Sequence, residues 1–153
     1  MLLTISLISA SFAGIAMAKS KTGWQKENGQ WFYIEKNGAH KTGWYQENGK
    51  WYYLDEYDGA MVANNSRYID GHFYLFDKKG VMQKNGWKSY TYTFSDGSSS
   101  TTWFYLNKNG TAKTSQWFKD GGKWYYLNDY GEMVAGRRTV INGKGYLFGN
   151  NGV

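Results

Sequence analysis

The chain has 153 residues, a formal net charge of +6, no cysteine and no proline, and 20 % of it is aromatic. Without cysteine it cannot be a disulfide-stapled scaffold, and its basic balance favours anionic partners, among them teichoic acids, nucleic acid and membrane surfaces. Leu, Ile and Val are sparse beyond the first seventeen residues, so apolar packing must come from Trp, Tyr and Phe.

Residues 1–18, MLLTISLISASFAGIAMA, form an uncharged apolar run ending on Ala16-Met17-Ala18, the small-x-small pattern at which a signal peptide is cut. The run is barely long enough to cross a bilayer and has no basic flank before it. It reads as a leader with Lys19 as the mature start.

Residues 19–153 are punctuated by Gly38, Gly59, Gly80, Gly110, Gly131 and Gly152, at spacings of 21, 21, 30, 21 and 21. Self-similarity of this length marks a repeat array in which each unit buries its apolar face against its neighbours. The units run over about 22–41, 42–62, 63–82, 83–113, 114–134 and 135–153. Adding 72 to Gly38, Gly59 and Gly80 gives Gly110, Gly131 and Gly152, so units one to three and four to six are copies of one triplet.

Within a unit the sequence predicts a short strand, a tight turn and an aromatic strand. Asn28-Gly29, Asn48-Gly49, Asp70-Gly71 and Asn142-Gly143 suit two-residue type I′ turns, in which both central residues need positive φ. Frequent glycine and β-favouring aromatics argue against helix throughout. The fourth unit is nine residues longer, and KSYTYTFSDGSSSTT (88–102) reads as a lengthened hairpin projecting from the array.

All eight tryptophans fall into four pairs: Trp24 with Trp31, Trp44 with Trp51, Trp87 with Trp103, and Trp117 with Trp124. A turn at Asn28-Gly29 sets Trp24 opposite Tyr33 and Lys26 opposite Trp31, so Trp24, Trp31 and Tyr33 share one face and Phe32 takes the other. A half-open aromatic wall suits a cation whose charge is spread over methyl groups, choline being the standard instance. Each ring face contributes roughly 0.5–2 kcal/mol, which puts one site of three rings near ~1 mM, and repetition along a polymer adds a factor of about 10²–10⁴ by avidity.

The stretches TGWQKENGQWFYIEKNGAHKTGWYQENGKWYYL, YYLDEYDGAMVAN and SQWFKDGGKWYYLNDYGEMV resemble the cell-wall-binding repeats of choline-binding proteins from streptococci and their phages, across residues 22–153. The resemblance implies an all-β solenoid of stacked β-hairpins, a left-handed superhelix of about six units, with choline held between consecutive hairpins. Two aromatics of a cage come from one hairpin and a third from the next. Carried over, one site uses Trp24, Trp31 and Tyr53, and another Trp87, Trp103 and Tyr126. Where the pairs Trp44/Trp51 and Trp117/Trp124 need a Tyr, Leu75 and Leu147 stand instead, so those sites are expected to be weaker or empty. Units three and six replace the first Trp by Ser66 and Arg138 and the second by Phe73 and Gly145, and no cage is expected of either.

The implied function is non-catalytic capture of choline on teichoic or lipoteichoic acid, attaching an exported protein to the bacterial surface. Choline is ligand rather than cofactor, and the resemblance leaves open a choline-linked homodimer. The forms YIDGHFYLFDKKG and VINGKGYLFGNNG resemble the glucan-binding repeats of streptococcal glucosyltransferases and clostridial toxin repeats, which keeps a glucan-binding alternative. His40 and His72 lie in different units without companions at ligand spacing, so no metal site is expected. Asp55, Glu56 and Asp58 belong to turn chemistry rather than acid–base pairs. No His or Asp frames the serines of 98–102 as nucleophiles, so no catalytic residue is assigned. Basic charge with interleaved aromatics also suits single-stranded nucleic acid, but an exported hairpin array does not.

Overall fold

The computed structural model describes residues 21–153, and the leader expected at 1–18 lies outside the described residues. Twelve strands form six antiparallel hairpins, each its own two-stranded sheet. They are β1 (Gly23–Glu27) with β2 (Gln30–Ile34), β3 (Gly43–Glu47) with β4 (Lys50–Leu54), and β5 (Asn65–Ile69) with β6 (His72–Phe76). The second triplet is β7 (Gly86–Thr93) with β8 (Ser99–Leu106), β9 (Gln116–Asp120) with β10 (Lys123–Leu127), and β11 (Arg138–Ile141) with β12 (Lys144–Leu147). The expected all-β array of six hairpins is present, and the described residues contain no helix.

Turn chemistry sets the register. Asn28 and Gly29 take φ of 48° and 87°, Asn48 and Gly49 take 50° and 73°, and the Asp70-Gly71 and Asn142-Gly143 turns match them. This is the I′ geometry whose twist agrees with that of the strands it joins. The resulting pairs are those expected, Trp24 with Tyr33 and Lys26 with Trp31. The fifth hairpin turns on Gly121-Gly122 (54° and 81°). The arm β7–β8 extends to eight residues per strand and ends in a loop where Asp96 Oδ1 accepts from the Ser98 amide at 2.9 Å and its hydroxyl at 2.7 Å.

Isolated two-stranded hairpins are marginal in water, so the stacking of units must stabilise them. After each of the first five hairpins the chain folds back on its second strand: Lys41, Val62, Gln83, Lys113 and Val134 donate to the carbonyls of Tyr33, Tyr53, Leu75, Tyr105 and Tyr126. The residue before each of the last four reaches the preceding hairpin. Met61, Met82, Ala112 and Met133 donate to the carbonyls of Trp31, Trp51, Phe73 and Trp103 at 2.7–2.8 Å. Between these bonds lie small apolar clusters, among them Tyr53, Ile69 and Phe76, and Leu75, Phe104, Leu106 and Ala112.

The repeat glycine is required where one unit's turn meets the chain of the unit before. At Gly59 (φ +77°) an added Cβ would lie 2.8 Å from His40 Cβ and 3.0 Å from the Lys41 carbonyl oxygen. Both atoms are held by the backbone and cannot swing aside. Gly59→Ala is therefore expected to cost about 2 kcal/mol or more, from left-handed strain plus overpacking, measured as a drop in the thermal midpoint.

Candidate functional site

Each hairpin has two faces, and alternation along the strand decides which side chains meet the next unit. In the second hairpin Trp44 and Tyr53 are opposite one another, and so are Tyr45 and Tyr52. The face carrying Trp44, Trp51 and Tyr53 looks forward to the third hairpin, while Tyr45 and Tyr52 look back to the first. Trp24 meets Tyr52 at 5.1 Å between ring centroids and Tyr45 at 5.8 Å.

The residue expected to close the first site is therefore corrected from Tyr53 to Tyr52. Tyr53 is 5 % exposed, lies edge-on to its own cross-strand partner Trp44 at 5.2 Å, and packs with Ile69 and Phe76. It is a core residue. The same correction applies in the second triplet, where Trp87 meets Tyr125 at 4.8 Å, whereas Tyr126 lies against its own Trp117 at 5.3 Å.

The pairs expected to be incomplete also receive a third ring. Leu75 is buried at 1 % exposure and Leu147 is opposite Arg138, but the backward-facing neighbours Tyr74 and Tyr146 reach Trp44 and Trp117, each at 4.8 Å. All four tryptophan pairs are thus followed by a tyrosine of the next hairpin. Trp44 stands nearly perpendicular to both Trp51 (88°) and Tyr74 (76°), so its ring and theirs form walls of an open box.

Two of these gaps are open clefts. One of about 390 Å³ is lined by Trp44, Trp51, Tyr74, Met82 and Asn109. Another of about 460 Å³ is lined by Trp24, Trp31, Tyr52 and Met61, with Glu47, Lys78 and Lys79. Both volumes suit a small ligand. Within each pair the first Trp is half-buried and the second more open, Trp31 at 41 % and Trp51 at 39 %, Trp103 at 42 % and Trp124 at 53 %. A fixed back wall with an accessible side wall lets a ligand enter without unpacking the hairpin.

The tyrosines and Met61 and Met82 were the wall residues missed in the sequence. Their signals were strand alternation, which sends Tyr52 and Tyr74 backward, and the position of each methionine two residues after a repeat glycine. The methionines are placed by backbone bonds to Trp31 and Trp51, and a thioether adds a polarisable, adaptable wall.

The gaps beside the four tryptophan pairs are of two kinds. Trp24 Nε1 donates to Glu47 Oε2 at 2.9 Å and Trp87 Nε1 to Asp120 Oδ2 at 3.0 Å, so a carboxylate stands beside each of these two gaps. At the corresponding strand positions beside Trp44 and Trp117 stand Ile69 and Ile141, both buried. Burial, with hydrogen bonds to Tyr33 and Glu47, pushes the Tyr45 phenol well above its ordinary value, so Tyr45 remains a neutral donor to Glu47 Oε1 at 3.0 Å.

The third hairpin lacks the tryptophan walls of the first two. Ser66 and Phe73 replace its tryptophans, Phe104 is buried at 1 % exposure where the others have tyrosine, and Ala112 replaces methionine. Phe73 instead lies between Tyr68 at 4.9 Å and Tyr130 at 5.9 Å. In the sixth hairpin the Arg138 guanidinium lies across Gly145, 3.3 Å from where a Cβ would be.

Core placement of Tyr53 has a pH consequence. Its hydroxyl donates to Glu56 Oε1 at 2.7 Å, and burial followed by that bond pushes the phenol from 10.0 up to about 12. The folded state holds the proton longer than the unfolded chain does. Its contribution to stability is therefore intact below pH 10 and is lost as pH rises through about 12. Phenolate absorbance should show a late-titrating tyrosine that Tyr53→Phe removes.

Comparison with known proteins identifies the repeat. The model of the choline-binding repeat matches residues 21–66, and that of the putative cell wall binding repeat matches residues 99–112 and 115–133. Choline-binding protein F (CbpF) of Streptococcus pneumoniae, in a crystal structure with ipratropium, is 36 % identical over 86 % of this chain and 38 % of its own, with a TM-score of 0.54. The choline-binding domain of Spr1274 from Streptococcus pneumoniae is 32 % identical over 61 % of this chain and 96 % of its own, with a TM-score of 0.47. Glucosyltransferase-S of Streptococcus mutans is 33 % identical over 94 residues, and this chain spans 6 % of that enzyme's length. With one repeat model on the first two hairpins, the other on the fourth and fifth, and the CbpF likeness running through the array, the chain belongs to the choline-binding repeat family.

Proposed function

We propose that this chain is a non-catalytic module that captures choline between its hairpins and so attaches to choline-bearing teichoic or lipoteichoic acid on a bacterial surface. In this reading the segment 1–18 acts as the export leader. The observation that carries it is the cleft of Trp44, Trp51, Tyr74 and Met82, with rings on three sides and a thioether. A quaternary ammonium there meets ring faces that attract its charge and apolar surface that covers its methyl groups. Four such gaps in one array convert weak single-site capture into firm retention on a polymer.

The chain is expected to bind to a choline or trimethylammonium resin and to be released by free choline. Titration of tryptophan fluorescence should count four sites, one for each pair, and a Trp24→Ala, Trp31→Ala variant should lose one of them. Passage through the resin with no fluorescence response to choline would sink the reading.

One observation favours a second reading. Tyr68 and Tyr130, 61 % and 63 % exposed, flank Phe73 as an open aromatic face where the array lacks a cage. Such a face can stack against the C–H groups of a sugar ring, in keeping with the glucan-binding alternative. Retention on a dextran matrix that free choline does not reverse would favour it.

A further inference from the structure

Methionine follows the tryptophan pairs. All three methionines of the described residues, Met61, Met82 and Met133, stand two positions after a repeat glycine, and Ala112 takes that position beside the third hairpin, which has no tryptophan. Each methionine donates its amide to the carbonyl of a pair's second tryptophan, Trp31, Trp51 or Trp103. The repeat glycine of the following unit then lies against its thioether. A Cβ built on Gly80 would be 2.4 Å from Met61 Sδ, one on Gly110 2.9 Å from Met82 Sδ, and one on Gly152 2.5 Å from Met133 Sδ. Glycine thus makes room for the sulfur and closes one flank of it. On the other flank Met61 and Met82 line the clefts of the first and second pairs. All three side chains are half-buried, so a small solute reaches a sulfur that a packed core would hide. The chain has no cysteine, which leaves these thioethers as the only sulfur atoms among the described residues.

We propose that Met61, Met82 and Met133 are sites of oxidation by peroxides, and that sulfoxide at these positions weakens ligand capture in the gaps they border. A sulfur lone pair attacks one oxygen of hydrogen peroxide, the O–O bond breaks, an S–O bond forms, and the departing hydroxide takes the proton of the transferred hydroxyl and leaves as water. The thioether is oxidised to sulfoxide and the peroxide is reduced. This rests on choline capture as the function and adds a chemical control of it. With the glycine flank closed, the new oxygen is directed toward the cleft, where a polar, hydrated group replaces apolar cover for the methyl groups of the ligand. Loss of the thioether contact is expected to lower affinity at each oxidised cleft by roughly 2–10-fold. Retention on a polymer compounds the separate sites, so the hold of the whole array falls more steeply than that of one cleft.

Treatment of the full chain with hydrogen peroxide, followed by peptide mass mapping and choline titration of tryptophan fluorescence, tests this. Sulfoxide is expected at Met61, Met82 and Met133, forming more slowly when choline is present, and the affinity for choline should fall. Methionine sulfoxide reductases supplied with a dithiol should restore it, a recovery that oxidised tryptophan would not show. A Met61→Leu, Met82→Leu, Met133→Leu chain, whatever its starting affinity, should lose none of it on treatment. Methionines that resist peroxide at doses that oxidise free methionine, or that oxidise equally fast with choline bound, overturn the proposal. So does an affinity that survives full sulfoxidation, one that reduction fails to restore, or an equal fall in the leucine chain. Each of these leaves choline capture standing, whereas no response of the untreated chain to choline overturns both.

Discussion

Tyr53→Ala is expected to cost about 3–5 kcal/mol of stability, while Tyr52→Ala, one residue away, leaves the unfolding midpoint nearly unchanged and weakens the first cleft. Tyr53 is 5 % exposed, and its removal opens a cavity against Trp44, Ile69 and Phe76 and strips Glu56 of its donor. Tyr52 is partly exposed and supplies the ring at 5.1 Å from Trp24. Loss of one ring face, worth roughly 0.5–2 kcal/mol, lowers affinity at that site by about 2–30-fold. Denaturant unfolding beside choline titration of both variants checks the split. If Tyr53→Ala kept its stability and Tyr52→Ala its affinity, the facing of the two strands would be wrong.

Phe76→Ala is expected to be as severe, about 3–5 kcal/mol. Phe76 is 0 % exposed, 5.9 Å from Trp44 and 6.5 Å from Tyr53, so it supports the back wall of the second cleft from the third hairpin. Because each unit relies on its neighbours for stability, the loss should spread beyond the third hairpin and lower the affinity of the second site together with the thermal midpoint. Calorimetry and choline titration of the variant measure both. Full retention of second-site affinity would show that Trp44 is held by its own hairpin alone.

The Tyr53→Ala and Tyr52→Ala pair also shows how far the strand pattern reached. The pairing of Trp24 with Tyr33 already placed Phe32 on the opposite face. Since Tyr52 aligns with Phe32, the same alternation sends Tyr52, not Tyr53, back toward the first hairpin. Tyr74 follows in the third unit for the same reason, which is why Leu75 does not leave the second tryptophan pair without a third ring. The information was in the period of two, but it became usable only once the stacking direction of the hairpins was fixed.

The sequence by itself determined the hairpins, their register and their number. Those follow from local chemistry: positive-φ Asn-Gly turns at fixed spacing, and aromatic strands that cannot be satisfied as helix. It also determined that tryptophans come in pairs and that the third unit lacks one. Only the tertiary structure decided which tyrosine closes each gap, that methionines form another wall, and that Glu47 and Lys78 with Lys79, 31 and 32 residues apart, charge the same cleft. These are contacts between successive units and beyond, set by the rise and turn of the stack. No local pattern encodes that geometry, because it arises from the fit of one hairpin's backward face against the forward face before it.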